Sequence, residues 1–557
     1  MANSPVDLVI VNARVLTMDP QNPVAEAIGV SNGRIVAVGS TKSVSAMVRT
    51  GTNTIDAMGG SVLPGFIEAH MHLFAGASEL GHLQLIGVQG IKALGDAVRS
   101  HASTRNLQVL LIGQGCDYTV LGELGSVTRH HLDSILPDRP LIVFAPDHHT
   151  AWANTRALVL GGILHGADLG PGNEIVMGTD GFATGELREG EAFGPVMAAV
   201  GPDRTRLGLT TGGEPDPYPD STEFEADMNV MRLGLDWCAR HGITSIQNMD
   251  GNLYSLEVLA AILERDGALK CRVKIPFHFK NFMTLEALDK AASMAEKYAG
   301  EWLTSGMVKM FYDGVLDSWT AVMVEPYADK PGYLGDPLFT PQAFAEIAVE
   351  ADRRGLQIAV HAIGDGAVRA VLDGYQAAAK ANGTRDARHR IEHIELIHPA
   401  DIGRFQQLGV VASMQPSHPP GAMDFPMEPT ASRIGKSRWS CAYACRTLKD
   451  SGARIPFASD WPVADIDPIR SIKAAVTRKP WSAENPDQSF TLHEAIAAYT
   501  VEGAFAEFTE ASKGRIKAGF MADLVVLERD IEALKPAEID KVKVAVTICA
   551  GKITFQR

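Results

Sequence analysis

The 557-residue sequence contains no run of eighteen apolar residues free of charge, and Met1 to Leu8 shows no basic stretch leading into an apolar core. Neither a membrane-spanning helix nor a cleaved leader is expected, and a soluble cytoplasmic protein is the default. No block of lysine or arginine stands out either: 66 acidic residues outnumber 51 basic ones, and the net charge of −15 is spread along the chain. That excludes a footprint for a phosphate backbone or an anionic bilayer, so neither nucleic acid nor membrane is expected as a partner. The six cysteines (Cys116, Cys238, Cys271, Cys441, Cys445, Cys549) form no Cys-x-x-Cys pair. Cys441 and Cys445 have the spacing of one helix face, but buried packing thiols explain them better than a metal pair, and no disulfide framework is expected. What is present is ordinary globular material, 46% hydrophobic and 21% charged. It is enough for a sizeable core in one large domain with additions, or in two to three domains.

The two ends read as short strands. Runs at 7–12, 14–18, 27–30 and 34–38 surround Asn32-Gly33, the strongest short-range hairpin signal, because a type I′ turn needs positive φ at both central residues. Such a meander cannot bury its apolar face unaided. The C-terminus offers partners at 522–527, 542–548 and 552–555, so residues 1–60 and 512–557 are expected to share one small β-sandwich domain. Between them, strand-like segments at 61–72, 242–250, 271–279, 306–314, 356–364, 389–396, 410–416 and 455–462 alternate with helical ones such as 285–299, 341–354, 365–381 and 400–408. Eight strand–helix units predict an α/β fold, a (β/α)8 TIM barrel over 61–511, with chemistry at the C-terminal strand ends. An open doubly wound sheet is the alternative, but no glycine-rich phosphate turn follows the first strand. The long connection after the first strand predicts an inserted subdomain over about 75–240. Its Pro/Gly-rich acidic segment at 210–220 reads as a mobile excursion, and whether it gates the site is left open.

The strand ends collect metal-ligand residue types. His70 and His72, two apart on an extended chain, point to one side and approach one cation together. Lys309 lies inside an apolar run, and His361, His393 and Asp460 end three further strands. Singly, each has a plainer reading: a hydrogen-bonded core histidine, a lysine snorkelling or paired with Asp313, an aspartate capping a turn. Four histidines and an acid at the ends of separate strands argue jointly for metal. Phe277, Phe311, Tyr312, Tyr118, Trp319 and Trp461 cluster near these ends. Tyr118, Trp319 and Trp461 are the better candidates for an apolar substrate pocket, because Phe277 and Phe311 sit inside strands and suit packing.

Pro64-Gly-Phe-Ile-Glu-Ala-His-Met-His72, Val360-His-Ala-Ile-Gly-Asp365, Glu392-His393 and Ser459-Asp460 resemble the amidohydrolase superfamily. Val308-Lys-Met-Phe-Tyr-Asp-Gly314, Asp147-His-His-Thr-Ala-Trp-Ala-Asn154, Thr184-Gly-Glu-Leu-Arg-Glu189 and Gln415-Pro416 resemble its amidohydrolase-3 branch, which includes the N-substituted formamide deformylases. The resemblance implies one or two divalent ions, zinc first, held by His70, His72, His361, His393 and Asp460. It places Lys309 where relatives carry a carboxylated lysine bridging two metals. It further implies hydrolysis of a non-peptide C–N bond, an amide or a formamide, in a small-molecule substrate. Asp460 would be the general base, with His393 or His149 at the oxyanion, although a structural role for His149 is as good a reading. Deaminase, cyclic-amide, carbamate and ester hydrolysis use the same chemistry, and an inactive binding or regulatory relative is the non-enzymatic alternative. Cys116, where a tryptophan is usual, and Thr184, without a preceding proline, depart from the branch and point to a different substrate. A homodimer is the prior for such enzymes.

Overall fold

The computed structural model describes residues 6–104, 110–146, 148–170, 172–199 and 213–557. Near the N-terminus, Asn32 and Gly33 take φ of 50° and 74°, the paired positive values of the expected hairpin, and join Ala27–Ser31 to Arg34–Gly39. Ala550-Gly551 repeats the device between Val544–Cys549 and Lys552–Gln556, with φ of 50° and 73°. The ends build two sheets. One holds Arg34–Gly39, Ala27–Ser31, Leu8–Val11 and Asn53–Asp56 in that order. The other runs Lys552–Gln556, Val544–Cys549, Leu524–Leu527, Ser61–Pro64, Arg14–Leu16, Val24–Ala25, interleaving strands from opposite ends of the chain. Leu8, Ile10 and Ile28 from the first meet Val62, Leu524 and Ile548 from the second in one apolar cluster.

The expected single strand over 61–72 is two strands. Ser61–Pro64 pairs with Arg14–Leu16 and Leu524–Leu527 in the terminal sheet, whereas Phe66–Met71 pairs with Ile243–Asn248. Gly65 stands at the break, where a Cβ would lie 2.2 Å from the Thr244 hydroxyl oxygen.

From Phe66 the fold is α/β. Parallel pairing runs from Phe66–Met71 through Ile243–Asn248, Arg272–Lys274 and Leu303–Thr304. It resumes from Phe277–His278 through Met307–Phe311, Gln357–Ala362, Arg390–His393 and Val411–Ser413. Pro276 lacks an N–H, and at this point the expected strand 271–279 is interrupted, whereas the expected 306–314 is a continuous strand over Met307–Phe311 that begins after Gly306, φ 101°. The expected eighth strand, 455–462, is not continuous: it makes bridges at Arg454 and Phe457, and Pro456 between them cannot donate to a ladder. Backbone bonds nevertheless return the chain to its start, Asp460 N–H to His70 O at 2.9 Å and His72 N–H to Trp461 O at 2.8 Å. These bonds bring the eighth segment's end against the first strand's histidines.

The helices follow their apolar periodicity, with Ala287–Lys297, Pro341–Arg353 and Asp365–Asn382 near their expected spans. Only Arg404–Leu408 of the expected 400–408 is α-helical, behind a short 3-10 turn at Pro399–Asp401. The connection after His72 builds its own six-stranded sheet, Glu174–Met177, Ala183–Arg188, Thr150–Ala153, Leu141–Phe144, Leu111–Gln114 and Leu83–Gln84. Residues 210–212 of the acidic segment expected as a mobile excursion lie outside the described residues. From Ser221 to Arg240 the chain is helix, opened by an Asp220–Glu223 capping box. All six cysteines are free thiols. No described helix is long and apolar enough to cross a membrane.

Candidate metal centre

His70 and His72, at the end of Phe66–Met71, both reach Asp460: their Nε2 atoms lie 3.2 and 3.1 Å from its Oδ1. The far ring nitrogens belong to other acids. His70 Nδ1 is 2.7 Å from Glu392 Oε2 and His72 Nδ1 is 2.8 Å from Asp250 Oδ2. A carboxylate on Nδ1–H fixes the tautomer and turns the Nε2 lone pair outward as a donor. Glu392 is clamped in turn by the fully buried Arg390, at 2.7 Å to Oε1 and 2.9 Å to Oε2. Against the cost of burial, Arg390 and His70 hold the Glu392 carboxyl down at about 2. Asp460 and His393 adopt left-handed backbone, φ 61° and 77°, a strain of about 1–3 kcal/mol each that packing must hold.

His393 stands between His70 and His361, with ring centroids 4.7 and 4.5 Å away. Its Nδ1 is 3.1 Å from Gln415 Oε1 and 3.8 Å from Asp460 Oδ2. His361 Nε2 lies 3.0 Å from Gly314 O. His418 stacks on His393 and brings Nε2 to 3.9 Å from Asp460 Oδ2. Burial holds His361 and His393 well below the usual histidine range, so both are neutral imidazoles fit to donate electron pairs. Asp460 stays ionised: burial opposes the charge, but His70 and His393 hold its carboxyl well below the usual carboxylate range. Lys309 is wholly buried, its Nζ makes no hydrogen bond, and the Phe311 ring lies 4.5 Å away. Burial lowers its pKa, while Glu392, Asp460 and Asp250 pull the other way.

These residues fit a divalent ion. His70 Nε2, His418 Nε2, Asp460 Oδ1 and Lys309 Nζ are buried without a hydrogen bond, which is costly unless something else engages them. Donors about 2.1 Å from one ion stand roughly 3.0–3.4 Å apart, the spacing that His70 and His72 keep from Asp460. Two donor sets share that aspartate: His70 with His72, and His393 with His418. All are nitrogen or oxygen ligands, suited to zinc and its neighbours.

A cavity of about 560 Å³ opens on this cluster, walled by His72, Asp250, Lys309, His361, His393 and Asp460 and, from the inserted unit, by Phe144, His149, Phe193 and Met197. His149 thus reaches the cavity, with its Nδ1 held 2.9 Å from Glu189 Oε2. The expected aromatic lining is different. Tyr118 packs edge-on against Trp152 at 5.3 Å inside the insert. Trp319 is covered by the Arg433 guanidinium at 3.4 Å and donates to Asp329 at 3.1 Å. Trp461 is buried against Gly76, where a Cβ would sit 2.4 Å from its ring. None of the three belongs to the wall, which takes Phe144, Phe193, Phe425 and, against expectation, Phe311 instead. Sequence reasoning also passed over Asp250 and His418, although Asp250 ends the segment read as the strand 242–250 and His418 lies two residues past the one read as 410–416.

The sequence model of the amidohydrolase family matches residues 53–555. The chain belongs to the amidohydrolase family, in its amidohydrolase-3 branch. This amidohydrolase is 31% identical over 528 residues to Protein LONG AFTER FAR-RED 3 of Arabidopsis thaliana, covering 94% of this chain and 87% of that one. It is 25% identical over 565 residues to the N-substituted formamide deformylase of Arthrobacter pascens, covering 99% and 98%. An uncharacterized metal-dependent hydrolase from Pyrococcus horikoshii OT3 has a crystal structure similar to this amidohydrolase at a TM-score of 0.71 and 24% identity, over 95% of this chain and 99% of that chain. That likeness bears on the fold.

Proposed function

We propose that the protein is a metal-dependent hydrolase that cleaves a C–N bond in a non-peptide amide, with N-substituted formamides among the candidate substrates. The observation that carries this reading is the meeting of His70 and His72 Nε2 with Asp460 Oδ1 at 3.1–3.2 Å, buried, beside an unpartnered Lys309, on a cavity. In this reading the parallel ring is a (β/α)8 barrel working at its C-terminal strand ends, and the paired terminal sheets are a β-sandwich. His70, His72, His361, His393 and Asp460 hold one or two ions, zinc first, with His418 as a further donor. Lys309 carries a carboxyl group on Nζ, which replaces a costly buried ammonium by an oxygen-donor anion. When bound, the metal supplies Lewis acidity, easing deprotonation of water and polarising the carbonyl. Asp460, ionised and at the junction of both donor sets, accepts the water proton and returns it to the leaving nitrogen. His149, on the same wall, contacts the oxyanion.

Metal analysis of the purified protein, with turnover of formamides, acyclic amides, lactams, aminated rings and esters, tests the reading. One or two ions per chain are expected in the wild type. His72→Ala and Asp460→Ala should each lower metal content and cut amide turnover at least about 100-fold. Equal background for wild type and both variants on every substrate would sink the hydrolase and favour a binding protein.

A further inference from the structure

The cavity wall is one-sided in charge. Outside the donor cluster it carries Glu79, Asp317 and Glu395; among the described wall residues there is no arginine, and Lys309 is the single lysine. Enzymes that take a carboxylate- or phosphate-bearing substrate need a fixed cation for it, usually an arginine fork, because a buried anion without one is expensive. Away from the donor cluster, an anionic substituent would meet these three acidic side chains and no arginine or lysine. The rest of the wall, including Phe144, Phe193, Met197 and Phe425, suits an aliphatic or aryl body.

Glu79 marks where an opposite charge would go. It ends the helix Leu73–Glu79 that follows His72, and its side chain is 14% exposed. The group facing it is His148, whose Nδ1 is 3.6 Å from Oε1, beyond a hydrogen bond. Burial pushes the His148 imidazole down to about 4, so it brings no positive charge at neutral pH. Burial likewise pushes the Glu79 carboxyl up to about 8 against the pull of His72, so at neutral pH it is mostly protonated, and a cation placed beside it would draw the proton off.

Resting on the hydrolase reading, we propose that this site selects amides with an apolar body and a cationic end, that Glu79 reads the cation, and that carboxylate- or phosphate-bearing analogues are rejected. Glu79 is a specificity-determining residue that takes no part in bond cleavage.

The experiment uses the full-length metal-loaded protein and three hydrolysis-resistant N-hexyl methanesulfonamides whose chains end in a methyl, an ammonium or a carboxylate group. Binding by calorimetry is expected to rank ammonium above methyl above carboxylate, with at least about 100-fold between the extremes. Glu79→Gln should remove about tenfold of the ammonium preference and leave the methyl probe unchanged. Phe193→Lys, which adds the missing cation to the wall, should raise carboxylate affinity at least about tenfold. Turnover of the matching acetamides is measured alongside. If the sulfonamides rank as stated while no acetamide is cleaved, the hydrolase reading fails and the charge selectivity stands. If acetamides are cleaved but the carboxylate probe binds as well as the ammonium probe, or Glu79→Gln changes nothing, the selectivity is overturned and hydrolysis stands.

Discussion

Arg390 has no contact with the cavity, yet the donor geometry leans on it. Its guanidinium bonds Glu392 twice, the Ala69 carbonyl at 2.8 Å and the Ser413 hydroxyl at 3.0 Å, and Glu392 in turn orients His70. Arg390→Met takes the guanidinium from the buried Glu392 carboxylate and leaves it only His70, so a loss of about 3–5 kcal/mol in urea unfolding is expected. Metal affinity should fall roughly 10–100-fold with it, because the His70 tautomer is no longer fixed. A variant with wild-type stability and affinity would show that the clamp is redundant. At this scale the sequence was legible wherever a reactive residue type ended an apolar run: His72, His361, His393, Lys309 and Asp460 line one cavity, with His70 against Asp460 behind it. It was silent on second partners: nothing in Arg390-Ile-Glu-His announces that Arg390 and Glu392 are an internal clamp. Aromatic residues beyond strand ends were the poorest guide, because Trp319 and Trp461 take their directions from Arg433 and Gly76, which pattern does not reveal.

Among the elements, the short helix Leu73–Glu79 lies flush on Trp461, the neighbour of Asp460, and Gly76 is what permits it. Gly76→Ala forces the indole aside; a loss of about 1–3 kcal/mol is expected, with weakened metal retention measured by dialysis against a chelator. Unchanged retention would mean that Asp460 is positioned independently of this contact. Away from the site, Asp352 on Pro341–Arg353 accepts from Arg385 at 2.7 Å and lies 3.1 Å from His389 Nε2. Burial raises its carboxyl, but His389, Asn382 and Arg385 prevail and hold it at about 2. A depressed folded-state pKa contributes stability above the unfolded value of about 3.9, and the contribution is lost as pH falls toward 2. Asp352→Asn should therefore cost on the order of 1–2 kcal/mol at pH 7, with the gap from wild type closing between about pH 4 and pH 2 in urea titrations. A gap independent of pH would assign the loss to packing. Elements with strong periodicity were read to within a few residues, whereas strands holding Pro276 or Pro456 were read as continuous where the ladder breaks.

For the whole molecule, an ion bound only by the folded chain should add to its stability. Dialysis against a chelator is expected to lower the melting temperature by at least about 5 °C, and zinc should restore it. Identical melting before and after would remove metal from the account. The alternation of strand and helix signals made the α/β plan readable, and strands from the two β-rich ends lie in one sheet. The division of 61–72 between two sheets was not foreseeable, because an apolar run carries no record of which neighbour each half meets. That shared sheet has a cost during synthesis. Arg14–Leu16 and Ser61–Pro64 leave the ribosome early, yet Leu524–Leu527 emerges on the order of 25–100 s later at usual elongation rates. Throughout that interval the edge of Ser61–Pro64 that Leu524–Leu527 covers in the finished fold stays bare, the kind of unpaired strand edge on which nascent chains stick to one another.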